Sequence, residues 1–368
     1  MKIIISGGGT GGHIFPALSI ANALKERFAN AEILFVGAKG RMEMEKVPTA
    51  GYRIKGLPIS GLNRTCLWIN IGVLFKLISS LIIAFFTIRR FSPNVVIGVG
   101  GYASGPTLKV AALLRIPTLI QEQNSYAGIT NQLLAKKAHK ICVAYPNMER
   151  FFPHEKIVMT GNPVRKELID TAEKRDEAIV YFNLDPTKKT LLVVGGSLGA
   201  RTINNSIKAA LKTLSNDNNL QIIWQCGKLY HNEMKALPGL EQAKNIRLHS
   251  FISRMDLAYA AADLIISRAG AGSISEFCLL HKPVILVPSP NVAEDHQTVN
   301  AQSLIKEKAA IMIADVSAEN SLIDVAMATI HNESQLKELS ENIAKMSIPD
   351  SANRIIDEVM KIVTKKEA

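Results

Sequence analysis

The sequence predicts an α/β protein built as two parallel-sheet halves that face each other across a cleft. Three observations lead there. Short apolar runs alternate with helical stretches through the first half of the chain, the same alternation restarts at Thr190–Val194, and a glycine loop follows the leading strand of each half. Strand–helix alternation of this kind builds a parallel sheet covered by helices.

Taken in order, the first-half strands are expected at Lys2–Ser6, Glu32–Val36, Val95–Val99 and Pro117–Gln121, with a weaker one at Lys140–Ala144. Helices fit between them, for example at Ala17–Arg27 and Thr107–Leu114. The second half offers strands at Thr190–Val194, Gln221–Gln225, Arg247–Phe251, Asp263–Ser267 and Pro283–Val287, and a helix from about Ala200. Pro163 breaks regular structure inside Thr160–Arg165, which marks the linker. The tail, Ser351–Lys365, carries an apolar helical stripe through Ile355, Ile356, Val359, Ile362 and Val363, as a helix packed on a core would.

Length and composition agree. The 368 residues suit two domains, and 47% hydrophobic residues allow each a real core. With 43 Lys and Arg against 32 Asp and Glu, the net charge is +11. A basic surface favours anionic partners such as phosphates or acidic lipids. Nothing resembles a zinc pattern or a basic stretch interleaved with aromatics, so nucleic acid is not expected as a partner. Cys66, Cys142, Cys226 and Cys278 are scattered, which suits free thiols in a reducing cytosol. The apolar run at Met1–Ser6 is too short for a signal-peptide core.

Four glycine loops follow strands: Gly7–Gly12, Gly98–Tyr102, Gly195–Gly199 and Ser267–Ser273. Glycines let the backbone approach a phosphate, and the next helix offers unpaired N–H groups and a positive dipole end. Gly7, Gly9 and Gly12 satisfy the dinucleotide fingerprint literally, but the second strand ends Val36-Gly37-Ala38-Lys39, without the ribose-binding acid a nicotinamide enzyme needs. Four such loops around one cleft favour a phosphate-rich ligand. Ser273 and Glu276 also read as an S-x-x-E capping box. No D-x-D pair occurs, so a departing diphosphate would rely on a helix N-terminus after Ser273 and on a basic side chain such as Arg268 or Arg165, without an essential metal.

Ordered motifs then carry a family resemblance. They are G-G-T-G-G-H at Gly8–His13, G-G-Y at Gly100–Tyr102, E-Q-N at Glu122–Asn124, G-N-P-V-R at Gly161–Arg165, G-G-S-L-G-A at Gly195–Ala200, S-R-A-G-A at Ser267–Ala271 and D-H-Q at Asp295–Gln297. The set resembles the MurG family, transferases that move N-acetylglucosamine (GlcNAc) from UDP-GlcNAc to lipid I in peptidoglycan synthesis. The resemblance implies a GT-B fold of two Rossmann-like domains: an acceptor domain at 1–162, a UDP-GlcNAc domain at 163–347, and a terminal helix at about 348–368 returning to the first. It implies that Arg165 and the backbone of Ile252 contact uracil, and that Ser197 lies by the diphosphate. Ala271, Gly272 and Ser273 would approach diphosphate and ribose, Glu276 would bind ribose hydroxyls, and Gln297 with His296 would read the sugar. Thr10, Gly11, Gly12 and Asn124 would line the reacting centre. The reaction inverts the anomeric carbon and needs one base. His13 is the first candidate because it ends a loop facing the cleft and imidazole titrates near neutrality; Glu122 is the second.

Leu67–Ile88 is the most apolar segment and is long enough to span a membrane. It lies between strands of one expected sheet, so spanning would divide that sheet. A helix packed on the core along one face and on lipid headgroups along the other is expected instead, with Trp68, Phe75, Lys76, Phe85, Phe86, Arg89 and Arg90 as membrane contacts. The alternative is a fully buried core helix. The expected site of action is the cytoplasmic face of the inner membrane. Rival readings are another GT-B enzyme, either a diacylglycerol glycosyltransferase or a UDP-GlcNAc epimerase, and a non-catalytic basic binding module.

Overall fold

The computed structural model describes residues 1–61, 70–165, 168, 171–292 and 295–367. Arg64, Cys66 and Trp68 lie outside the described residues. The chain divides into two compact units, Met1–Arg165 with Ile348–Ala368, and Lys166–Ser347.

The first unit holds β1 (Lys2–Ser6), α1 (Gly11–Arg27), β2 (Glu32–Ala38), α2 (Glu43–Thr49), β3 (Arg53–Leu57), α3 (Asn70–Phe91), β4 (Val95–Gly98), α4 (Ser104–Leu113), β5 (Thr118–Glu122), α5 (Ile129–Ala135), β6 (Lys140–Val143) and β7 (Ile157–Met159). Its seven strands run parallel in the order β3-β2-β1-β4-β5-β6-β7. The order reverses between β1 and β4, the switch point at which ligands bind in such sheets.

The second unit holds α6 (Arg175–Phe182), β8 (Lys189–Val194), α7 (Arg201–Ala209), α8 (Leu211–Ser215), β9 (Leu220–Gln225), α9 (His231–Lys235), β10 (Ile246–His249), α10 (Met255–Ala261), β11 (Leu264–Ser267), α11 (Ala271–Leu279), β12 (Val284–Leu286), α12 (His296–Lys306), β13 (Ile311–Met312), α13 (Asp315–Ile330) and α14 (Glu333–Lys345). The same winding recurs, β10-β9-β8-β11-β12-β13, again all parallel. The last helix, α15 (Ser351–Glu367), belongs to the first unit.

The unbroken apolar runs of the central strands follow from having helices on both faces. Ile3 and Ile5 of β1 enter one core with α1 and α15, while Ile4 enters the other with α3 and α4. Leu191 and Val193 face α7 and α13, while Leu192 and Val194 face α10 and α11. The tail stripe is buried as its spacing requires: Ile355, Ile356, Val359, Ile362 and Val363 all enter the first unit's core.

The structure departs from the sequence reading in two places. Strands β3, β7 and β13 were not expected; β3 and β7 are the two edges of their sheet and β13 is an edge of the other. Helix α1 begins at Gly11, six residues before Ala17, and carries Pro16 inside it, so its first two amides, of Gly11 and Gly12, are those of the glycine loop itself. Helix α3 is packed along one face only, as expected, and is not the fully buried core helix of the alternative reading. Ser80, Ala84 and Ile88 are buried at helical spacing, but Phe75 and Phe86 are 69% and 66% exposed, and Ile71, Leu74, Ile78, Ile82 and Phe85 are exposed with them.

Candidate active site

In the first unit the loops after β1 and β4 meet at the switch point. Thr10 caps α1, and His13 lies in its first turn. Imidazole Nδ1 lies 3.2 Å from the Gly8 carbonyl oxygen and 3.3 Å from Thr10 Oγ1. A carbonyl only accepts, so Nδ1 carries the proton and the lone pair is on Nε2. Gly100 has φ +91°, and a Cβ there would sit 2.8 Å from His13 Cδ2 and Nε2. The bare backbone of the second loop is therefore what makes room for the ring. Gly101, at φ +83°, packs so closely that any side chain would strike the Gly8 carbonyl.

Glu122 ends β5 and is 1% exposed. Oε1 accepts from the Asn124 amide N–H at 3.0 Å, and Oε2 from the Gly128 N–H at 3.0 Å and Asn131 Nδ2 at 2.9 Å. Both oxygens are thus committed to shaping the loop that carries Asn124. Glu122, the second candidate base, is thus the group that organises this loop. The neighbouring motifs are also joined: Gln121 Nε2 donates to Asn162 Oδ1 at 2.9 Å, and Asn162 Nδ2 donates to the Gln123 carbonyl at 3.0 Å. The guanidinium of Arg165 lies over the Phe15 ring of α1, 5.8 Å from its centroid.

The second unit carries a cavity of about 660 Å³ at the carboxyl end of its sheet. Gly195, Gly196 and Gly199 line it from the β8 loop and Arg201 from the start of α7, Arg268 and Gly270 from the β11 loop and Ser273 from α11, and Ser289, Gln297 and Asp315 close it. The walls include the first turns of α7 and α11, and Gln297 and Asp315 stand in the first turns of α12 and α13. Several helix N-termini turned toward one space favour a multiply charged anion.

The expected donor residues are distributed as follows. Arg268, Ser273 and Gln297 line the cavity, and Ala271 and Gly272 open the helix that Ser273 continues. Gly270 is the N-cap, so Ser273 stands three residues inside α11 and the S-x-x-E capping box does not form. Glu276 instead accepts a 2.8 Å bond from Tyr259 Oη. The amides facing the cavity begin at Ala271, not after Ser273. Ser197 is exposed at the tip of the β8 loop. The Ile252 N–H already donates to Gln225 Oε1 at 2.8 Å, while Gln225 Nε2 donates to the Gly196 carbonyl at 3.0 Å. His296 opens α12 beside Gln297, whose Oε1 accepts from the Ser289 N–H at 2.9 Å.

Arg268 differs most from its expected role. Its guanidinium donates to the Val287 and Pro288 carbonyls, at 3.0 and 3.2 Å, and is ion-paired with Asp315. It braces the cavity wall with its charge compensated. Arg201, Thr202, Tyr230, Gln225 and Asp315 were not foreseen. Only Gln225 and Asp315 left a trace in the sequence, as a polar residue ending an apolar strand and an acid opening a helix.

Comparison with known proteins agrees over nearly the whole chain. The glycosyltransferase family 28 N-terminal domain matches residues 3–143, and the family 28 C-terminal domain matches residues 190–355. A UDP-N-acetylglucosamine–N-acetylmuramyl-(pentapeptide) pyrophosphoryl-undecaprenol N-acetylglucosamine transferase of Bacteroides fragilis is 60% identical over 363 residues, 98% of this chain and 96% of that protein. The one from Phocaeicola vulgatus is 61% identical, covering 99% and 97%. The crystal structure of Acinetobacter baumannii MurG superposes with a TM-score of 0.77 at 29% identity, covering 98% and 99%. A UDP-GlcNAc 2-epimerase from Neisseria meningitidis, at 14% identity and a TM-score of 0.69 over 98% and 100%, shares the fold alone. With two wound parallel sheets and both family 28 domains, the fold is the two-domain GT-B fold, and the chain belongs to the MurG family of N-acetylglucosaminyl transferases.

Proposed function

We propose that this enzyme transfers GlcNAc from UDP-GlcNAc to the 4-hydroxyl of the muramyl unit of lipid I, with inversion, giving lipid II and UDP. The observation that carries the reading is the glycine-lined cavity walled by first-turn residues of α7, α11, α12 and α13, in a chain 60% identical to named transferases throughout. The acceptor oxygen forms a bond to the anomeric carbon as the bond from that carbon to the diphosphate oxygen breaks. The electron pair leaves with UDP, and the hydroxyl proton passes to His13 Nε2. Supporting His13 as base is its Nδ1 contact to Gly8, which leaves the lone pair on the other nitrogen.

The first unit would take the acceptor and the second the donor. Amides from Ala271 to Ser273, with Ser197, would meet the diphosphate, and Glu276 the ribose. Gln297 and His296 would read the sugar. The Ile252 carbonyl and Arg165 would meet uracil; the Ile252 N–H is occupied, so the carbonyl is the group to consider. Thr10, Gly11, Gly12 and Asn124 would surround the reacting atoms. Leaving-group stabilisation by amides and helix dipoles would let the enzyme work without a metal cofactor.

The exposed apolar face of α3, ending in Arg89 and Arg90, supports peripheral attachment to an anionic membrane. The opposite face is packed in the protein core, so α3 would lie along the surface rather than cross it. Such attachment would put the enzyme at the cytoplasmic face of the inner membrane, beside a polyprenyl-linked acceptor.

Turnover of UDP-GlcNAc with a lipid I analogue tests the function. Transfer at equal rates in EDTA and in magnesium is expected. No transfer to the analogue would overturn the substrate reading, and loss of transfer in EDTA would overturn the metal-free one. His13→Ala is expected to lower turnover roughly 100-fold or more with donor binding intact; unchanged turnover would remove His13 from the base role.

A further inference from the structure

Glu43 is a buried carboxylate that no motif pointed to. It sits in the first turn of α2 and is 1% exposed. Oε1 accepts from the Ala38 N–H at 2.9 Å, and Oε2 accepts from the Gly9 N–H at 2.9 Å. The Gly9 N–H and the Gly8 carbonyl are two ends of one planar peptide group. That carbonyl is the group 3.2 Å from His13 Nδ1. The sequence of contacts is therefore carboxylate, amide N–H, the same amide's C=O, and imidazole N–H.

We propose that Glu43 is a positioning residue for His13, acting through the Gly8–Gly9 peptide group; the proposal deepens the reading of His13 as the base. A hydrogen bond to a carboxylate is charge-assisted and draws electron density in the amide toward its oxygen. Chained bonds strengthen one another by roughly 10–30% each. The Gly8 carbonyl becomes a better acceptor for Nδ1–H, the lone pair stays on Nε2, and the imidazolium formed on proton uptake is stabilised. In hydrolases a carboxylate bonded directly to a histidine does this work; here one peptide unit lies between them.

Three glycines, in the β1 loop, in strand β2 and in the β4 loop, clear the space. A side chain at Gly8, where φ is +143°, would run into the Glu43 carboxylate. A Cβ at Gly37 would meet Glu43 Cγ at 2.5 Å, and one at Gly101 would strike the Gly8 carbonyl. Gly9, at φ +91°, has open space around its Cβ position, so its requirement is the backbone conformation that turns its N–H to Glu43. Thr10 Oγ1 and the Gly100 backbone also lie against the ring, and neither carries a charge. Glu122 approaches this side of the site through Asn131, which it holds at 2.9 Å, and is left unaltered by the test below.

The test is NMR titration of the ¹⁵N-histidine-labelled full chain, unsubstituted and as Glu43→Gln, alongside the pH profile of kcat/KM. Removing the negative charge disfavours imidazolium, so the His13 midpoint should fall by roughly half a unit or more, with the acid limb moving the same way. The Nδ1–H tautomer should become less populated. Turnover should drop about tenfold with the KM for UDP-GlcNAc unchanged, a split that simple loop damage would not give. An unchanged midpoint and tautomer would overturn the proposal. In the unsubstituted chain, the Gly9 amide resonance should titrate with the His13 ring, and a Gly9 resonance indifferent to that titration would also overturn it. Should His13→Ala keep full turnover, the base reading falls, while a Glu43-dependent ring midpoint still establishes the relay.

Discussion

Arg268 and Asp315 are ion-paired inside the glycine-lined cavity of the second unit, and Asp315 Oδ2 also accepts a 2.9 Å bond from Thr202 Oγ1. The carboxylate thus ties the first turn of α7, the β11 loop and the start of α13 together while cancelling the only charge that Arg268 brings. Asp315→Asn should leave that charge uncompensated beside the diphosphate position. UDP should then bind about fivefold tighter, roughly 1 kcal/mol, and product inhibition should strengthen accordingly. Inhibition by UDP that stays the same or weakens would count against this.

Asp256 supplies a pH-dependent part of the second unit's stability. It accepts from Arg254 Nε at 2.9 Å and from Lys174 Nζ at 3.2 Å. The Arg254 bond, with help from Lys174 and against the effect of burial, holds its carboxyl down at about 2. A depressed folded value means the contribution is complete above the unfolded value of about 3.9 and disappears as pH falls toward 2. Asp256→Asn should therefore cost about 2 kcal/mol at pH 7 and almost nothing near pH 2. Urea unfolding at the two pH values measures the difference.

Membrane attachment should depend on the exposed face of α3. Phe75→Glu with Phe86→Glu removes two aromatic groups whose burial is worth about 1.5–3 kcal/mol each. Partition onto anionic vesicles should weaken by about 100-fold or more, with turnover on a soluble acceptor unchanged. Arg89→Gln with Arg90→Gln should instead flatten the salt dependence of binding. Flotation across a salt series separates the two effects, and wild-type binding that survives the phenylalanine changes would exclude this face.

The described thiols should be silent in the native state. Burial pushes Cys142 and Cys278 up to about 12, and Cys226 up to about 11. Because the thiolate is the nucleophile, alkylation at pH 7.5 should label none of these three until denaturant is added. Peptide mapping after short exposure to iodoacetamide checks it; rapid labelling of any of them would show local opening.

Central strands and glycine loops were readable because a strand buried on both faces must be apolar along its middle, and β1, β4, β8 and β11 are, with polar residues only at their ends. Edge strands were not. Arg53–Leu57 alternates Arg and Lys with apolar residues, and β7 and β13 are only three and two residues long, too short for any period. The onset of α1 was misplaced because Pro16 reads as a helix start, while its ring is tolerated one turn further in. The site was legible where chemistry shows in residue type, as at His13 and Gln297. It was hidden where a residue acts by bracing another. Nothing in Arg-Met-Glu marks Glu43 as lying under a glycine loop more than thirty residues away, and nothing in Arg268 announces its pairing with Asp315.

The return of α15 to the first unit has a consequence for biosynthesis. Residues Lys166–Ser347 form an uninterrupted stretch, so the second unit is complete once that stretch has left the ribosome. The unit made first must wait, because Ile355, Ile356, Val359, Ile362 and Val363 fill one side of its sheet and are translated last. Released chains cut short before residue 348 would hold a finished C-terminal lobe behind an N-terminal lobe with an uncovered apolar floor, a natural client for chaperones.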